Sequence, residues 1–293
     1  MASYSSVITL PLSFMQDFKP ERRLLSLLLQ FVKASGVGDK SEISEATGIP
    51  TGDSSGKVEP IIYYAIGMGL ITASKEYGVW ELKLTLLGNQ ILNEDPFLSE
   101  CVSLWILHLM LCRPLSAEDL VSSDSGVVDP WFTLFSLSEI RLGTSFTASD
   151  YSIFIEERYG ASASRKRMSK VILGSYEEDS CLGLTKAITL NSSMNYFRSK
   201  APQEVEFFPV YAAYMFLLWD EFFAGQKQSS LNEFFSRTRM LTVMHWTDKE
   251  MRHWLNWMSD SEMIQLDSQT GESIALRTAS TADVINLIYS ELI

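Results

Sequence analysis

Residues 58–84 read VEPIIYYAIGMGLITASKEYGVWELKL. Ile61, Ile62, Tyr64 and Ala65 form the apolar face of a helix running from about Ser55 to Met68. Gly69 stops it. Leu70-Ile71-Thr72 leads into the turn signal Tyr77-Gly78, and Val79 to Leu84 alternates apolar and polar residues as a half-buried strand does. A helix that runs straight into a β-hairpin is the second half of a winged helix-turn-helix, and the first half lies upstream. Pro20 stands where a helix can begin, because its missing N–H is not needed there. Leu24, Leu25, Leu27, Leu28, Phe31 and Val32 recur at helical spacing, and Gly36-Val37-Gly38 ends that helix. Ser41, followed by Glu42 and Glu45, reads as the start of a short second helix through Ala46. Gly48 to Gly52 is a turn, which Ile43, Ala46 and Ile49 are expected to pack.

In helix-turn-helix proteins the third helix enters the major groove and presents polar side chains to base edges. Here its N-terminal part offers Ser55, Lys57, Glu59 and Tyr63 and the rest is apolar. Ser55, Lys57 and Tyr63 are therefore candidate DNA contacts. A winged helix used for protein contacts is the competing reading.

The same order returns more faintly downstream. Asn93 to Leu98 breaks the pattern before a very apolar helix, Val102 to Leu111, which by that composition is buried. Asp129-Pro130-Trp131-Phe132 restarts order after a Ser-rich loop. Thr147 to Asp150 reads as a cap, followed by a helix to Tyr159. Ser162 or Ser164 caps a further helix through Arg165, Lys166, Arg167 and Lys170, and β-like pieces follow at Ile188–Leu190 and Asn195–Phe197. Pro209 to Phe223 is one long aromatic helix. Ser230–Phe235, Thr247–Met258 and a hairpin of Met263–Leu266 with Ser273–Leu276, turning at Gly271, make a third unit. The expected fold is mainly α with small β-hairpins (α+β): tandem winged helix-turn-helix-like modules around a buried helical middle. The expected boundaries are 1–92, a helical connector at 93–146, a second module at 147–200 and an aromatic-rich third at 201–293.

With 293 residues, 46% hydrophobic and 12% aromatic, the chain can bury a sizeable core, which excludes disorder as its main state. The longest apolar runs, Val102–Cys112 and Phe207–Trp219, fall short of the roughly 20 residues that span a bilayer. The N-terminus has no basic region followed by an apolar stretch. Three cysteines, Cys101, Cys112 and Cys181, with no CxxC spacing argue against a disulfide scaffold or zinc site and for a reducing cytoplasm. The net charge of -12 is unevenly spread: residues 93–160 carry -8, 201–293 carry -7, and 161–200 carry +4. A uniformly acidic chain would be a poor partner for phosphates. The basic island keeps DNA open as a partner, and Arg165, Lys166, Arg167 and Lys170 are candidate phosphate contacts. Lys166 and Lys170 share a helical face with Arg167 beside it, downstream of capping serines whose helix amides can meet an anion.

Several residues invite catalytic readings that their spacing does not support. His108 lies inside the apolar helix and reads as a core histidine. His245 and His253 are eight apart, a spacing that could place both on one helix face, but no carboxylate or cysteine completes a metal set. Glu177-Glu178-Asp179 is a run of adjacent carboxylates that diverges, whereas a metal-dependent nuclease needs carboxylates converging from separate elements. Cys181 follows the basic stretch, where cations could favour a thiolate, but a small buried residue is the plainer reading. Gly52 to Lys57 lacks the GxxxxGK[ST] spacing of a phosphate loop. No GxSxG or HExxH occurs. No catalytic residue, metal ligand or cofactor is expected.

Asp95-Pro96-Phe97-Leu98, Leu104-Trp105-Ile106-Leu107-His108, Trp131-Phe132 and Phe135, with Phe14 to Phe18 and Gly69-Leu70-Ile71, resemble a bacterial family catalogued as a domain of unknown function. The resemblance covers most of the chain, with Phe97 where tyrosine is more usual. That family is encoded beside phosphoadenosine-phosphosulfate-reductase-like genes in DNA phosphorothioation and other phage-defence loci. The resemblance implies a non-enzymatic DNA-contacting or adaptor component whose partners are DNA and other proteins of the same locus. It supplies no catalytic residues. The rivals are a protein-interaction scaffold for a reductase-like sulfur-transfer enzyme and a winged-helix transcription regulator.

Overall fold

The computed structural model describes residues 10–52, 56–116, 124–267 and 273–292. It is mainly helical with small three-stranded sheets, the α+β class expected. In the first segment, α1 (Arg22–Ala34) buries Leu24, Leu25, Leu28, Leu29 and Val32. The chain turns at Gly36, where φ is +70° and an added Cβ would stand 2.4 Å from the Leu82 carbonyl oxygen. No other residue type fits that turn. Strand β1 (Val37–Gly38) delivers the chain to Asp39, which caps α2 (Lys40–Thr47). The helix thus begins before Ser41: the Asp39 carboxylate accepts from the amides of Ser41 and Glu42, and Glu42 reaches back to the Asp39 amide. Ile43 and Ile49 are fully buried, whereas Ala46 faces outward. After α3 (Val58–Gly67), β2 (Ile71–Glu76) and β3 (Val79–Leu84) form a hairpin closed by Tyr77 and Gly78. Both turn residues have positive φ, as a two-residue hairpin turn of this hand requires. The sheet order is β1-β3-β2.

Thr85 caps α4 (Leu86–Glu94), and α5 (Cys101–Leu111) follows. Every residue from Val102 to Cys112 is buried. Then come α6 (Asp129–Phe132), a π-helical turn at Thr133–Leu137 and α7 (Glu139–Leu142). Strand β4 (Ser145–Thr147) ends on the cap of α8 (Ala148–Tyr159), where Thr147 and Asp150 form a capping box. Ser162 caps α9 (Ala163–Glu177), its hydroxyl accepting from the Arg165 amide. β5 (Ile188–Leu190) and β6 (Asn195–Arg198) complete a sheet of order β4-β6-β5.

The aromatic α10 (Phe208–Phe222) is followed by β7 (Gln228–Ser230), which ends on Ser230, the cap of α11 (Leu231–Thr238). α12 (Met240–Met244) and α13 (Asp248–Asp260) precede β8 (Ile264–Asp267) and β9 (Ile274–Arg277), in a sheet of order β7-β9-β8. α14 (Thr281–Asn286) closes the chain, and the expected turn residue Gly271 lies outside the described residues. The strand order first–third–second thus occurs three times. Each time the first strand runs into a capping residue, Asp39, Thr147 or Ser230.

The described residues fall into two compact units. One draws on the described residues within 11–110 and 138–199, and the other on Leu10 and the described residues within 111–137 and 200–292. The first therefore holds the sheets β1-β3-β2 and β4-β6-β5, and the second holds β7-β9-β8. Among the described residues no helix is long and apolar enough to cross a membrane.

Candidate nucleic-acid interface

The polar residues at the start of α3 are engaged inside their own unit. Lys57 Nζ lies 2.5 Å from Glu21 Oε1 and 5.7 Å above the Phe18 ring. Glu59 accepts from Lys75 at 2.5 Å, and that ammonium also stacks 4.8 Å from the Trp80 ring. Tyr63 is half-buried against Phe14 and Trp80, at ring distances of 5.8 and 5.7 Å. Ser55 lies outside the described residues.

The basic residues of α9 are placed differently. Lys166, Arg167 and Lys170 are exposed and Arg165 is half-buried. Lys166 Nζ is 3.8 Å from Glu156 Oε1, and Arg167 Nε is 3.1 Å from Asp17 Oδ1. Arg167 and Asp17 remain 58% and 64% exposed, so their pairing is screened by water. Among the described residues neither Arg165 nor Lys170 forms an ion pair. Arg165, Arg167 and Ser164 line a cleft of about 300 Å³ beside Gln16 and Asp17. The opposite side and C-terminal half of this helix are anchored: Met168, Val171, Ile172 and Leu173 are buried. Tyr176 meets His108 Nδ1 on α5 at 2.7 Å. His108 is thus a core histidine with a hydrogen-bond partner, and Trp105 and Tyr176 pack edge-on to its ring.

The acidic run, the cysteines and the other two histidines each make separate structural contacts. Glu177 accepts from the Tyr196 hydroxyl at 2.7 Å, Glu178 accepts from Lys19 at 2.5 Å, and Asp179 lies 4.0 Å from Lys186. The three carboxylates therefore diverge to three partners. Burial, then Glu177, holds the Tyr196 hydroxyl above its usual range. Cys181 is buried, as the plainer reading of the sequence has it, and burial pushes its thiol up to about 11, away from the thiolate of the competing reading. Burial likewise raises the Cys112 thiol, while Cys101 is exposed. His245 and His253 do not share a helix face. His245 follows α12 in a left-handed conformation (φ 52°), and His253 stacks edge-on to Phe208 within α13. Among the described residues no three His, Cys, Asp or Glu side chains converge on a metal position.

A second polar surface leaves no signal in the sequence. α11, α12, α13 and the β8–β9 hairpin enclose a cleft of about 470 Å³, lined in part by Asn232, Arg252 and Asn256. Arg252 and Asn256 share α13 but Asn232 lies on α11, and the three form no charge run. Only folding brings them together.

No protein-family model and no curated protein matches the sequence. The fold does match solved structures. A crystal structure of SspB with bound magnesium ion superposes with a TM-score of 0.69 at 16% identity, over 95% of this chain and 86% of that one. A second SspB crystal structure gives 0.67 at 16% identity over the same shares. The chain therefore has the fold of SspB along nearly its whole length.

Proposed function

We propose that this chain is a non-enzymatic, DNA-contacting component of a bacterial DNA-modification system of the phosphorothioation type, acting in phage defence in the cytoplasm. In this reading the three first–third–second sheets with their helices are winged-helix-like modules, and α9 of the second module meets the phosphate backbone. The observation that carries the proposal is the state of the α9 cations. Four basic residues lie in the first half of the Ser162-capped α9, in a segment carrying +4. Arg165 and Lys170 form no ion pair among the described residues, the Arg167–Asp17 pair is solvent-exposed, and Lys166, itself 67% exposed, stands 3.8 Å from a half-buried Glu156. An exposed pair such as Arg167–Asp17 is worth about 0–1 kcal/mol, so it yields readily to phosphate oxygens. The α3 cation Lys57, by contrast, is committed to Glu21 and Phe18. The resemblance of the Asp95–Leu98 and Leu104–His108 motifs points to the defence-locus setting. Replacing Arg165, Lys166 and Arg167 by alanine is expected to weaken DNA binding across all sequences. It should also flatten the salt dependence by roughly one unit of slope per lost contact. Unchanged affinity and slope in gel shifts, with circular dichroism intact, would overturn it.

A scaffold role for a reductase-like partner has its own supporting observation. Ile140 is fully exposed, Phe97 is 70% exposed and Ile153 is 48% exposed, each an apolar side chain that a partner's surface would cover. Copurification with the protein products of neighbouring genes, lost on Ile140→Asp and Phe97→Asp with DNA binding unchanged, would favour it.

A further inference from the structure

The cleft between α11, α13 and the β8–β9 hairpin has the size and chemistry of a small-ligand site. Its volume of about 470 Å³ lies within the range of roughly 300–1,000 Å³ typical of such sites. Phe235 and Leu255, 9% and 2% exposed, contribute an apolar floor. Above it stand two side-chain amides, Asn232 and Asn256, and the Arg252 guanidinium, all exposed.

These three side chains are free to meet a ligand, unlike the charged groups of their unit that are paired. Arg237 pairs with Glu233, Arg277 with Asp220 and Lys200 with Glu250. Among the described residues the side chains of Asn232, Arg252 and Asn256 have no partner. Arg252 and Asn256 are four apart on α13 and so share a face, with Asn232 across the cleft on α11. Side-chain amides supply a donor and an acceptor side by side, and a guanidinium supplies paired donors. That is the complement of a planar ring edge carrying ring nitrogens, carbonyls and exocyclic amines, as the pairing of Asn with adenine and Arg with guanine shows. An apolar floor offers such a ring a face to lie on. Two further lining residues, Asp248 and Asp267, set against the one guanidinium leave the lining net acidic, in a segment that carries -7. This balance disfavours a di- or triphosphate and favours a neutral ring.

We propose that the cleft binds a nucleobase, either as a free nucleoside or as a base turned out of a DNA strand. The second source rests on the DNA-contacting role proposed above. The cleft is lined by residues between 231 and 273, whereas the α9 cations proposed above as phosphate contacts lie at 165–170.

The full chain is titrated with adenosine, guanosine, cytidine and thymidine and followed by protein NMR. In parallel, its binding to oligonucleotides carrying 2-aminopurine is followed by fluorescence, which rises when that base leaves the stack. At least one nucleoside, or the 2-aminopurine strand, is expected to bind. Asn256→Ala and Asn232→Ala should each weaken that binding about tenfold. Both side chains are exposed and without partners, so these variants retain the fold, which circular dichroism verifies. Nucleoside binding without a 2-aminopurine response supports the cleft and assigns it a free ligand. A 2-aminopurine response lowered by both variants supports it and assigns a base in DNA. No binding in either arm, or binding that neither variant changes, overturns the inference. If gel shifts in that case still lose affinity on changing the α9 cations, the DNA-contacting role survives without the cleft.

Discussion

His108 Nδ1 on α5 and the Tyr176 hydroxyl on α9 meet at 2.7 Å in a fully buried contact. The link ties the apolar motif helix to the helix whose other end carries the basic stretch. Residues 108 and 176 are far apart in sequence, so each fixes the rotamer of the other only once both helices are packed.

That contact predicts a measurable coupling. Tyr176→Phe removes the hydroxyl and takes a partner from a buried ring nitrogen, at a cost of about 1–3 kcal/mol. His108→Phe leaves the buried hydroxyl without its imidazole at a similar cost. A double-mutant cycle by urea denaturation should give a coupling of about 0.5–3 kcal/mol. Additive effects of the two changes would mean that the contact contributes nothing to stability.

Gly88 is required by space and not by backbone angle. A Cβ there would lie 1.9 Å from the Leu70 carbonyl oxygen, a backbone atom that cannot swing aside. Gly88→Ala, which in an open helix would stabilise, is expected to destabilise by about 1–3 kcal/mol. A melting temperature equal to or above that of the unmodified protein would contradict this packing.

The cap of α13 predicts an acid limb in the stability curve. Lys200 and Thr247 hold the Glu250 carboxyl at about 2, against an ordinary value of 4.5. A depressed folded-state pKa stabilises the fold above the unfolded value and loses that contribution as the pH falls through the folded one. The contribution is therefore complete above about 5 and fades between 4.5 and 2. Glu250→Gln should lower the melting temperature at pH 7 and reduce its fall across that interval. A variant with the same acid limb as the unmodified chain would exclude this source.

Thiol reactivity should follow burial. Cys101 is exposed and is expected to be alkylated by iodoacetamide at pH 8 in the native protein. Cys181, held up at about 11, and Cys112, raised by burial, should react only on unfolding. Peptide mapping after a timed pulse checks the order, and native labelling of Cys181 first would refute it.

The two basic sites should also behave differently. Lys170 forms no ion pair among the described residues, so Lys170→Ala is expected to reduce the salt slope of DNA binding by roughly one unit. Lys57 is already paired with Glu21 at 2.5 Å and should leave the slope unchanged when replaced. A larger effect at Lys57 than at Lys170 would move the contact from α9 to α3.

Most of the helices were legible because their signals are local, whereas the short α7 and α12 were not. Apolar spacing marks α1 and α3, and serine or threonine caps stand at 147, 162, 230 and 247, where helices begin. The hairpins were legible because alternation needs only a few residues. The first strand of each sheet was not: β1, β4 and β7 are two or three residues long, too short to show a period. They are strands only because β3, β6 and β9 lie alongside and complete their hydrogen bonds. The candidate site divides in the same way. Sequence alone determined the basic run of α9 and narrowed its cap to Ser162 or Ser164, because charge and capping are properties of neighbours in the chain; the structure selects Ser162. Tertiary structure alone decided that Lys57 is spent on Glu21 and that His245 and His253 do not share a helix. It alone brought Asn232 beside Arg252 and Asn256. Pairing and burial depend on groups distant in sequence, and a side chain's charge says nothing about which of those groups the fold will place against it.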